Sequence, residues 1–345
     1  MNTSLKLPCL PEECDAFLSR PTAGAIQTVK QLDGDILIAG AGGKMGPTLA
    51  MMAAQAQEAS GRKRKVFGVS RFSSPESREL LEKNGIETIP CDLMNEKEVA
   101  KLPDVENIIF MAGQKFGTSS GPELTWAMNT LVPANVAKRY PTSRHVAFST
   151  GCVYSFAKTS SGGSREGSET NPPGDYANSC LGREQIYSYF AKTTGTPVCL
   201  FRLNYAIDFR YGVLLDIAVK VHAGEPVDVS MGHVNLIWQG DANARAIQSL
   251  ALADSPARPL NVTGPETVSV RELALRFSKL FDKEAQITGQ EADHAWLSNA
   301  GESIRHFGYP EVALDSMIEW VAAWVLSGGK TLGKPTHFET RDGKF

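Results

Sequence analysis

The strongest constraint on the fold is a regular alternation of short apolar runs with longer stretches that carry helical spacing and helix-start signals. Each run has the length of a strand that is buried on both faces. Strands that alternate with helices require a parallel sheet with helices on both faces, and the right-handed crossover rule makes that α/β sheet doubly wound. Ligands then bind just beyond the carboxyl ends of the strands. The runs lie at residues 35–40, 66–70, 86–89, 107–111, 145–149 and 198–202.

A glycine cluster follows the first apolar run directly, at a point where ligands are expected. Gly40, Gly43 and Gly46 fit the pattern G-x-x-G-x-x-G. Glycine suits a chain that must turn sharply, bring backbone N–H groups to a diphosphate and pack a helix close to the sheet, and the helix start adds partial positive charge. Surface turns also gather glycines, but this context indicates a dinucleotide-binding loop. The residues expected to hold the diphosphate are Gly40, Gly42, Gly43, Lys44, Met45 and Gly46.

The end of the second apolar run carries Ser70 and Arg71 where an NAD enzyme usually has an acidic residue. An acidic side chain there binds the adenosine ribose, whereas a cation beside hydroxyl groups suits a 2′-phosphate. We therefore predict NADP as the cofactor, with NAD as the alternative and Lys44 as a candidate second cation. The competing interpretation is that Arg71 is a solvated arginine after a strand.

Beyond residue 203 the alternation loosens, which indicates a second, smaller unit. Helices are expected at 212–223, 241–253, 269–281 and 314–326, with Asp241 as a helix cap, and strands near 234–238 and 259–262. One core stops growing at about 250 to 300 residues, so a chain of 345 residues accommodates a main domain and an appendage. The predicted parts are an N-terminal extension (1–34), a Rossmann-type dinucleotide-binding domain (35–203 plus 234–263), a C-terminal α/β substrate domain (204–233 plus 264–330) and a tail (331–345).

Composition argues against several other classes of function. The net charge of −3, from 35 basic and 38 acidic residues, gives no basic surface for nucleic acid or an acidic membrane. Six cysteines without CxxC pairs and six histidines without ligand spacing predict neither a disulfide framework nor a metal site. The N-terminus does not have the form of a signal peptide, and no apolar stretch approaches the about 20 residues that span a bilayer. We expect a cytoplasmic protein with a small-molecule partner.

Several further segments fall in the order and spacing of one known family. They are Cys91-Asp92-Leu93, Met111-Ala112-Gly113, Asn129, Phe148-Ser149-Thr150 with Val153-Tyr154, Trp238-Gln239-Gly240-Asp241, and residues 266–273. With the glycine cluster, they resemble the extended short-chain dehydrogenases, the NAD-dependent epimerase/dehydratase family, over about residues 35–325. The resemblance implies that the cofactor contacts Asp92, Leu93, Ala112, Gly113, Asn129 and Ser149.

The resemblance also implies three catalytic positions. In the family a tyrosine acts as general acid/base, a lysine four residues later lowers its pKa and holds the cofactor ribose, and a serine or threonine binds the reacting oxygen. The matching residues here are Tyr176, Cys180 and Thr150, so the lysine is missing. A phenol with a pKa near 10 is ionised in about one molecule per thousand at neutral pH, a handicap of about 4 kcal/mol.

Arg183 is the candidate replacement for this lysine, because it lies two helical turns beyond Tyr176 on the same face and leans back toward it. The alternative is an arginine that is solvated, or paired with Glu184 or a phosphate. We interpret Cys180, at the lysine's position beside the cofactor, as a small buried residue rather than a nucleophile.

Residues that follow the later strands are candidate substrate contacts. They are Gln114, Lys115, Cys152, Asn204, Tyr205 and Arg210. Residues 202–208 depart from the R-x-F-N-x-Y-G run that is typical of nucleotide-sugar enzymes in the family. A free sugar, a sugar acid or a similar polyol is therefore as good a candidate substrate as a nucleotide sugar.

Two hypotheses remain open. In the first, the protein is an NAD(P)-dependent oxidoreductase or epimerase/dehydratase that acts on a carbohydrate-like substrate by hydride transfer, with Tyr176 as acid/base and Thr150 orienting the oxygen. In the second, for which the missing lysine is the main argument, it binds the cofactor but has lost catalysis and serves as a sensor or scaffold. The resemblance further predicts a homodimer formed through the helices at 121–139 and 176–194.

Overall fold

The computed structural model describes residues 7, 8, 10–115, 117, 120–334 and 336–343. In these residues the α-helices are α1 (Pro11–Leu18), α2 (Ala23–Gln31), α3 (Gly46–Ala59), α4 (Pro75–Lys83), α5 (Glu96–Val99), α6 (Pro122–Arg139), α7 (Gly174–Thr194), α8 (Val213–Ala223), α9 (Gln239–Gln248), α10 (Val270–Phe281), α11 (Gly301–Phe307) and α12 (Leu314–Leu326). The strands are β1 (Ile36–Ala39), β2 (Val66–Ser70), β3 (Glu87–Pro90), β4 (Asn107–Phe110), β5 (Arg144–Thr150), β6 (Ala157–Lys158), β7 (Val198–Leu203), β8 (Ala206–Ile207), β9 (Val227–Asp228), β10 (His233–Val234), β11 (Ile237–Trp238), β12 (Arg258–Val262), β13 (Val268–Ser269), β14 (Ile287–Thr288) and β15 (His294–Ala295).

The main sheet confirms the predicted doubly wound α/β fold. In the described part of the chain it has seven parallel strands in the order β12-β7-β5-β4-β1-β2-β3. The order reverses between β1 and β4, because the chain runs outward from β1 to β3 and then returns to β4 on the other side. A ligand site in such a sheet lies beyond the carboxyl ends of the strands that flank this reversal.

Helices cover both faces of the main sheet, and the alternation of side chains along β1 shows why. Ile36 and Ile38 pack into the core formed with α2, α3 and α9, whereas Leu37 and Ala39 pack into the core formed with α6 and α7. Successive residues of a strand point to opposite faces, so both faces of an apolar strand need a cover. None of the described helices is both long and apolar enough to cross a membrane.

The C-terminal part differs from the prediction in two places. The expected strand at 234–238 is two short strands, because β10 pairs antiparallel with β13 while β11 pairs parallel with β8. Asp241 does not cap a helix, since α9 already begins at Gln239. Its carboxylate instead accepts hydrogen bonds from the backbone N–H groups of Glu311 (3.1 Å) and Val312 (3.0 Å), which fixes the loop before α12.

The N-terminal segment, expected as an extension, packs into the second core through α1. The Phe17 ring lies at centroid distances of 5.4 Å from Phe209, 6.1 Å from Trp238 and 5.3 Å from Trp320, edge to face in each case. These rings belong to the core that α8, α10 and α12 share. Edge-to-face aromatic packing of this kind stabilises a core beyond the area that it buries.

The C-terminal tail, for which the sequence predicts no structure, packs along α8 and β15. The carboxylate of Asp216 accepts hydrogen bonds from the Thr336 N–H (2.8 Å) and hydroxyl (2.6 Å). Phe338 is buried, and Arg341 donates to the carbonyl oxygen of His294 at 2.8 Å. The tail therefore reaches the carboxyl-end side of the sheet, where the site is expected.

The packing of α1 makes a testable prediction about stability. Phe17→Ala should lower the free energy of unfolding by about 3 kcal/mol, because it removes a buried aromatic ring and leaves a cavity. Leu10→Ala, at a side chain that is 57 % exposed, should change it by less than about 0.5 kcal/mol. Urea denaturation of both variants gives the comparison, and equal stability of the two would show that α1 does not belong to the core.

Candidate active site

Two neighbouring cavities lie beyond the carboxyl ends of β1, β2, β4 and β5. The first has a volume of about 200 Å³ and the second about 270 Å³, and both are lined by Met111 and Gly113 at the end of β4. The predicted site residues that line the first are Gly40, Gly42, Gly43, Ser70, Arg71, Asp92, Leu93, Ala112 and Gly113. Those that line the second are Lys44, Met45, Gly113, Gln114, Lys115, Ser149, Thr150, Cys152, Tyr176, Arg183, Asn204 and Tyr205.

The glycine loop between β1 and α3 fits a diphosphate. Gly40 has a φ of +102°, and a Cβ atom there would lie 2.6 Å from the backbone nitrogen of Ala112. A Cβ atom on Gly46 would lie 2.4 Å from the Ala41 carbonyl oxygen, so the first turn of α3 packs against the loop without a side chain. Gly42 and Gly43 are exposed. Backbone accessible to a ligand at the start of a helix is what phosphate binding requires.

The first cavity contains Ser70 and Arg71, which are predicted to bind the adenosine ribose, and Asp92, for which the resemblance implies a cofactor contact. Arg71 is exposed there beside Ser70. Asp92 follows β3, and its carboxylate accepts a hydrogen bond from the Met94 N–H at 3.1 Å. An exposed cation next to a hydroxyl group is suited to a phosphate.

Lys44 does not lie beside Arg71. The structure therefore corrects the predicted role of Lys44 as a second cation for the 2′-phosphate. Its Nζ atom lies 3.5 Å from the centroid of the Tyr211 ring, and the side chain lines the second cavity. The reason is the turn of the glycine loop, which places consecutive residues on different sides: Gly43 lines the first cavity and Lys44 the second.

Tyr176 and Thr150 face the second cavity together. The Tyr176 hydroxyl hydrogen-bonds to the thiol of Cys180, one helical turn further along α7. Burial, with the neighbouring Cys180 and Cys152, raises the pKa of Tyr176 well above its ordinary value. Burial likewise raises the pKa of Cys180 to about 11, so its thiol is neutral at physiological pH. The Thr150 hydroxyl oxygen accepts a hydrogen bond from the Cys152 N–H at 3.2 Å.

The hydrogen bonds of Arg183 go to β5 and α6. Its guanidinium donates to the Phe148 carbonyl oxygen and to Oδ1 of Asn129, both at 2.6 Å. Its charge still opposes the rise in the pKa of Tyr176. Arg183 lies two helical turns beyond Tyr176, but its guanidinium group donates hydrogen bonds to these two acceptors.

Asn129, predicted to contact the cofactor, lies behind the loop and is fully buried. Its side-chain amide exchanges two hydrogen bonds of 3.0 Å with the backbone N–H and C=O of Gln114. It also donates to the Ser179 hydroxyl at 2.9 Å. Asn129 therefore joins the loop after β4 to α7, and holds Gly113 and Gln114 at the boundary between the two cavities.

Lys115 reaches Tyr176 in space, which the sequence does not reveal. Its Nζ atom lies 5.9 Å from the centroid of the Tyr176 ring and donates to the carbonyl oxygen of Thr336 at 3.2 Å. Burial lowers the pKa of this ammonium group. The C-terminal tail thus fixes a cation beside the phenol.

A buried ionic network lies under the end of β5. Glu184 and Arg202 form an ion pair at 2.7 Å, with both side chains almost inaccessible to solvent. The Ser149 hydroxyl donates to Glu184, and Arg202 donates at 2.6 Å to the Tyr154 hydroxyl, which donates to Asn261 at 2.8 Å. Buried charges need such partners, so the network fixes the backbone that carries Thr150.

Arg210 does not line the second cavity, contrary to the substrate role predicted for it. Its guanidinium binds the carboxylates of Asp208 (3.0 Å) and Asp15 (2.7 Å), and so ties α1 to the segment after β8. Tyr211, Gly212 and Val213, which sequence reasoning missed, line the cavity instead, and Thr336 joins them from the tail. Among the described residues, no group of three or more His, Cys, Asp or Glu side chains could hold a metal ion.

Comparison with known proteins identifies the family of the chain. The model of the NAD dependent epimerase/dehydratase family matches residues 36–229, more than half of the chain. No curated protein matches the chain by sequence.

Solved structures match over most of the chain. One is a UDP-glucose 4-epimerase from Thermus thermophilus in complex with NAD (TM-score 0.68, 18 % identity, covering 84 % of this chain and 98 % of that one). Another is a dTDP-glucose 4,6-dehydratase from Streptomyces venezuelae with NAD bound (TM-score 0.71, 17 % identity, covering 85 % of this chain and 97 % of that one). A third is a UDP-glucuronic acid 4-epimerase from Bacillus cereus with NAD (TM-score 0.70, 17 % identity, covering 85 % of this chain and 99 % of that one). At these identities the likeness establishes the fold.

Proposed function

This chain belongs to the NAD dependent epimerase/dehydratase family, and from that premise we propose that it is an NADP-dependent oxidoreductase or epimerase/dehydratase of a hydroxylated, sugar-like substrate. The observation that carries the proposal is the adjacency of the two cavities. One contains the glycine loop and Arg71, the other contains Tyr176 and Thr150, and Gly113 lines both. A dinucleotide that spans them would present its reactive end to a general acid/base.

In this proposal each element of the site has a separate task. The glycine loop and the start of α3 bind the diphosphate, and Ser70 and Arg71 bind the adenosine ribose with its phosphate. When bound, the pyridine nucleotide supplies hydride transfer. Thr150 donates its hydroxyl to the reacting oxygen of the substrate, and Tyr176 takes up or returns the proton of that oxygen.

Tyr176 needs positive charge nearby, because burial has raised its pKa and the lysine of the family is replaced by Cys180. Nearby cations favour the phenolate form. We assign this role to Lys115, whose Nζ atom lies 5.9 Å from the centroid of the phenol ring, together with Arg183, whose charge acts to lower the pKa of Tyr176. The missing lysine would thus be replaced in space by a residue from the loop after β4.

Tyr176→Phe tests the chemical step. It should lower kcat at least about 100-fold with little change in nucleotide affinity, because it removes only the proton-transferring hydroxyl. Tyr187→Phe on the same helix is the matched control, since the buried Tyr187 hydroxyl has no hydrogen-bond partner among the described residues. Turnover is measured from reduced-nucleotide absorbance over a panel of sugars and sugar acids. Unchanged turnover in Tyr176→Phe would remove the tyrosine from the mechanism.

A catalytically impaired sensor or scaffold is the second candidate. The Tyr176–Cys180 hydrogen bond and the raised pKa of the phenol favour it, because both hold the proton on the tyrosine. Tight nucleotide binding by the unsubstituted protein without turnover across the same panel would support this candidate.

The preference for NADP rests on Arg71, which follows β2 and lines the first cavity. Arg71→Asp should reverse the ratio of NADPH to NADH affinity by at least about tenfold, since it replaces a phosphate-binding cation by an acceptor for the ribose hydroxyls. Arg62→Asp, which changes an exposed arginine in the turn before β2, controls for net charge. Dissociation constants from nucleotide fluorescence give the ratio, and an unaltered ratio in Arg71→Asp would refute the NADP assignment.

We also propose that the protein is a homodimer that works in the cytoplasm. Leu124 and Leu131 on α6 and Tyr189 on α7 are 51 %, 54 % and 63 % exposed, and exposed apolar side chains on two adjacent helices suit a subunit interface. The cysteines that the structure describes are free thiols, as a reducing compartment favours.

Leu131→Glu should convert the dimer to a monomer, because it places a charge in the proposed apolar interface. Leu275→Glu, at an exposed leucine of α10, should leave the mass unchanged. Light scattering after size exclusion gives the mass of each variant. A wild-type protein that elutes as a monomer would contradict the proposal.

A further inference from the structure

The second cavity has an unbalanced charge. Three cationic residues line it, Lys44, Lys115 and Arg183, and no aspartate or glutamate is among the described residues of its wall. They come from three different elements: the glycine loop, the loop after β4, and α7. Gathering cations around a partly buried space costs free energy unless an anion joins them.

Neutral groups orient the three cations. Arg183 donates to the carbonyl of Phe148 and the amide oxygen of Asn129, and Lys115 donates to the carbonyl of Thr336. Lys44 lies over the face of the Tyr211 ring, at 3.5 Å from its centroid. These contacts hold the three side chains at the wall of the second cavity.

The two carboxylates that act on Lys44 have partners outside the cavity. Asp208 is ion-paired with Arg210 at 3.0 Å. Asp216 accepts two hydrogen bonds from Thr336 at 2.8 and 2.6 Å. Neither residue lines the second cavity, although both act to raise the pKa of Lys44, so the described wall of the cavity carries cations without an acidic residue among them.

We propose that the substrate carries a carboxylate or phosphate group near its reacting carbon, and that Lys44 and Lys115 bind this anionic group. The inference rests on the enzymatic function proposed above and narrows the substrate class to anionic sugars and related polyol acids. Lys115, beside Tyr176, positions the anion close to the proton-transferring hydroxyl, and Lys44 holds it from the opposite loop.

The diphosphate of the cofactor is a weaker candidate for the same two lysines. The glycines that fit a diphosphate, Gly40, Gly42 and Gly43, line the first cavity, where Lys44 and Lys115 are not found among the described lining residues. Lys44 instead contacts Tyr211, which belongs to the substrate side of the site.

The ionisation of Lys44 gives the binding a characteristic pH dependence. Burial lowers the pKa of Lys44 to about 7, with Asp208 and Asp216 acting to raise it and Lys115 and Arg210 acting to lower it further. The ammonium form therefore prevails below about pH 7 and is lost above it. A bound anion favours the charged form, so binding takes up a proton, and affinity for the anion falls as the pH rises through 7.

Calorimetric titration of the nucleotide-saturated protein tests the proposal. The probes are D-glucuronate and D-glucose 6-phosphate, with D-glucose as their neutral match. A second pair compares UDP-glucuronate with UDP-glucose. At about pH 6 at least one anionic probe should bind about tenfold or more tightly than its neutral match, and at about pH 8 this preference should shrink. The two anionic monosaccharides distinguish a carboxylate from a phosphate.

Substitutions connect that preference to the two lysines. Lys44→Met and Lys115→Met should each reduce it about tenfold without lowering affinity for the neutral probe, whereas Lys44→Arg should retain the preference and lose its decline between pH 6 and 8. Lys101→Met, at an exposed lysine, is the matched control. Circular dichroism and nucleotide affinity establish that each variant is folded.

Equal binding of charged and neutral probes, or a preference that survives in both methionine variants, would overturn the proposal while leaving the proposed function in place. Failure of any pyridine nucleotide to bind, which is measured before sugar is added, would instead overturn both.

Discussion

The turn that joins β1 to α3 is possible only because Gly40 and Gly46 have no side chains. Gly40 approaches the backbone of Ala112 so closely that a Cβ atom would lie 2.6 Å from its nitrogen, and Gly46 packs equally closely on Ala41. These contacts bring the start of α3 to the ends of β1 and β4, where the strand order reverses. The two cavities, their common wall at Gly113 and the direction of Lys44 all follow from this close approach.

A second constraint comes from parts of the chain that lie far from the glycine loop. Asn129, to which Arg183 donates a hydrogen bond, holds the loop after β4, and the buried pair of Glu184 and Arg202 fixes the end of β5. The C-terminal tail completes the site by hydrogen-bonding Lys115 through Thr336. Such a site can retain the fold of the family in its rigid elements. The terminal segment that closes it can change the pattern of charge.

The sequence predicts the features of the fold and the site that depend on local patterns of residues. The strands of the main sheet, the glycine loop and the family were predictable, because buried runs, helix starts and motif spacing are properties of neighbouring residues. The contact between Lys115 and Thr336 was not, since it joins positions 221 residues apart. Arg210 illustrates the same limit: its partner Asp15 lies in a helix whose packing no nearby motif indicates.

If the amide groups of the glycine loop bind a pyridine nucleotide, calorimetric titration of the unsubstituted protein detects it. We expect a saturable heat with one nucleotide per chain, and a lower dissociation constant for NADPH than for NADH. Absence of measurable heat with either nucleotide at about 1 mM would contradict it, because the affinity would then fall below that of a functional cofactor site.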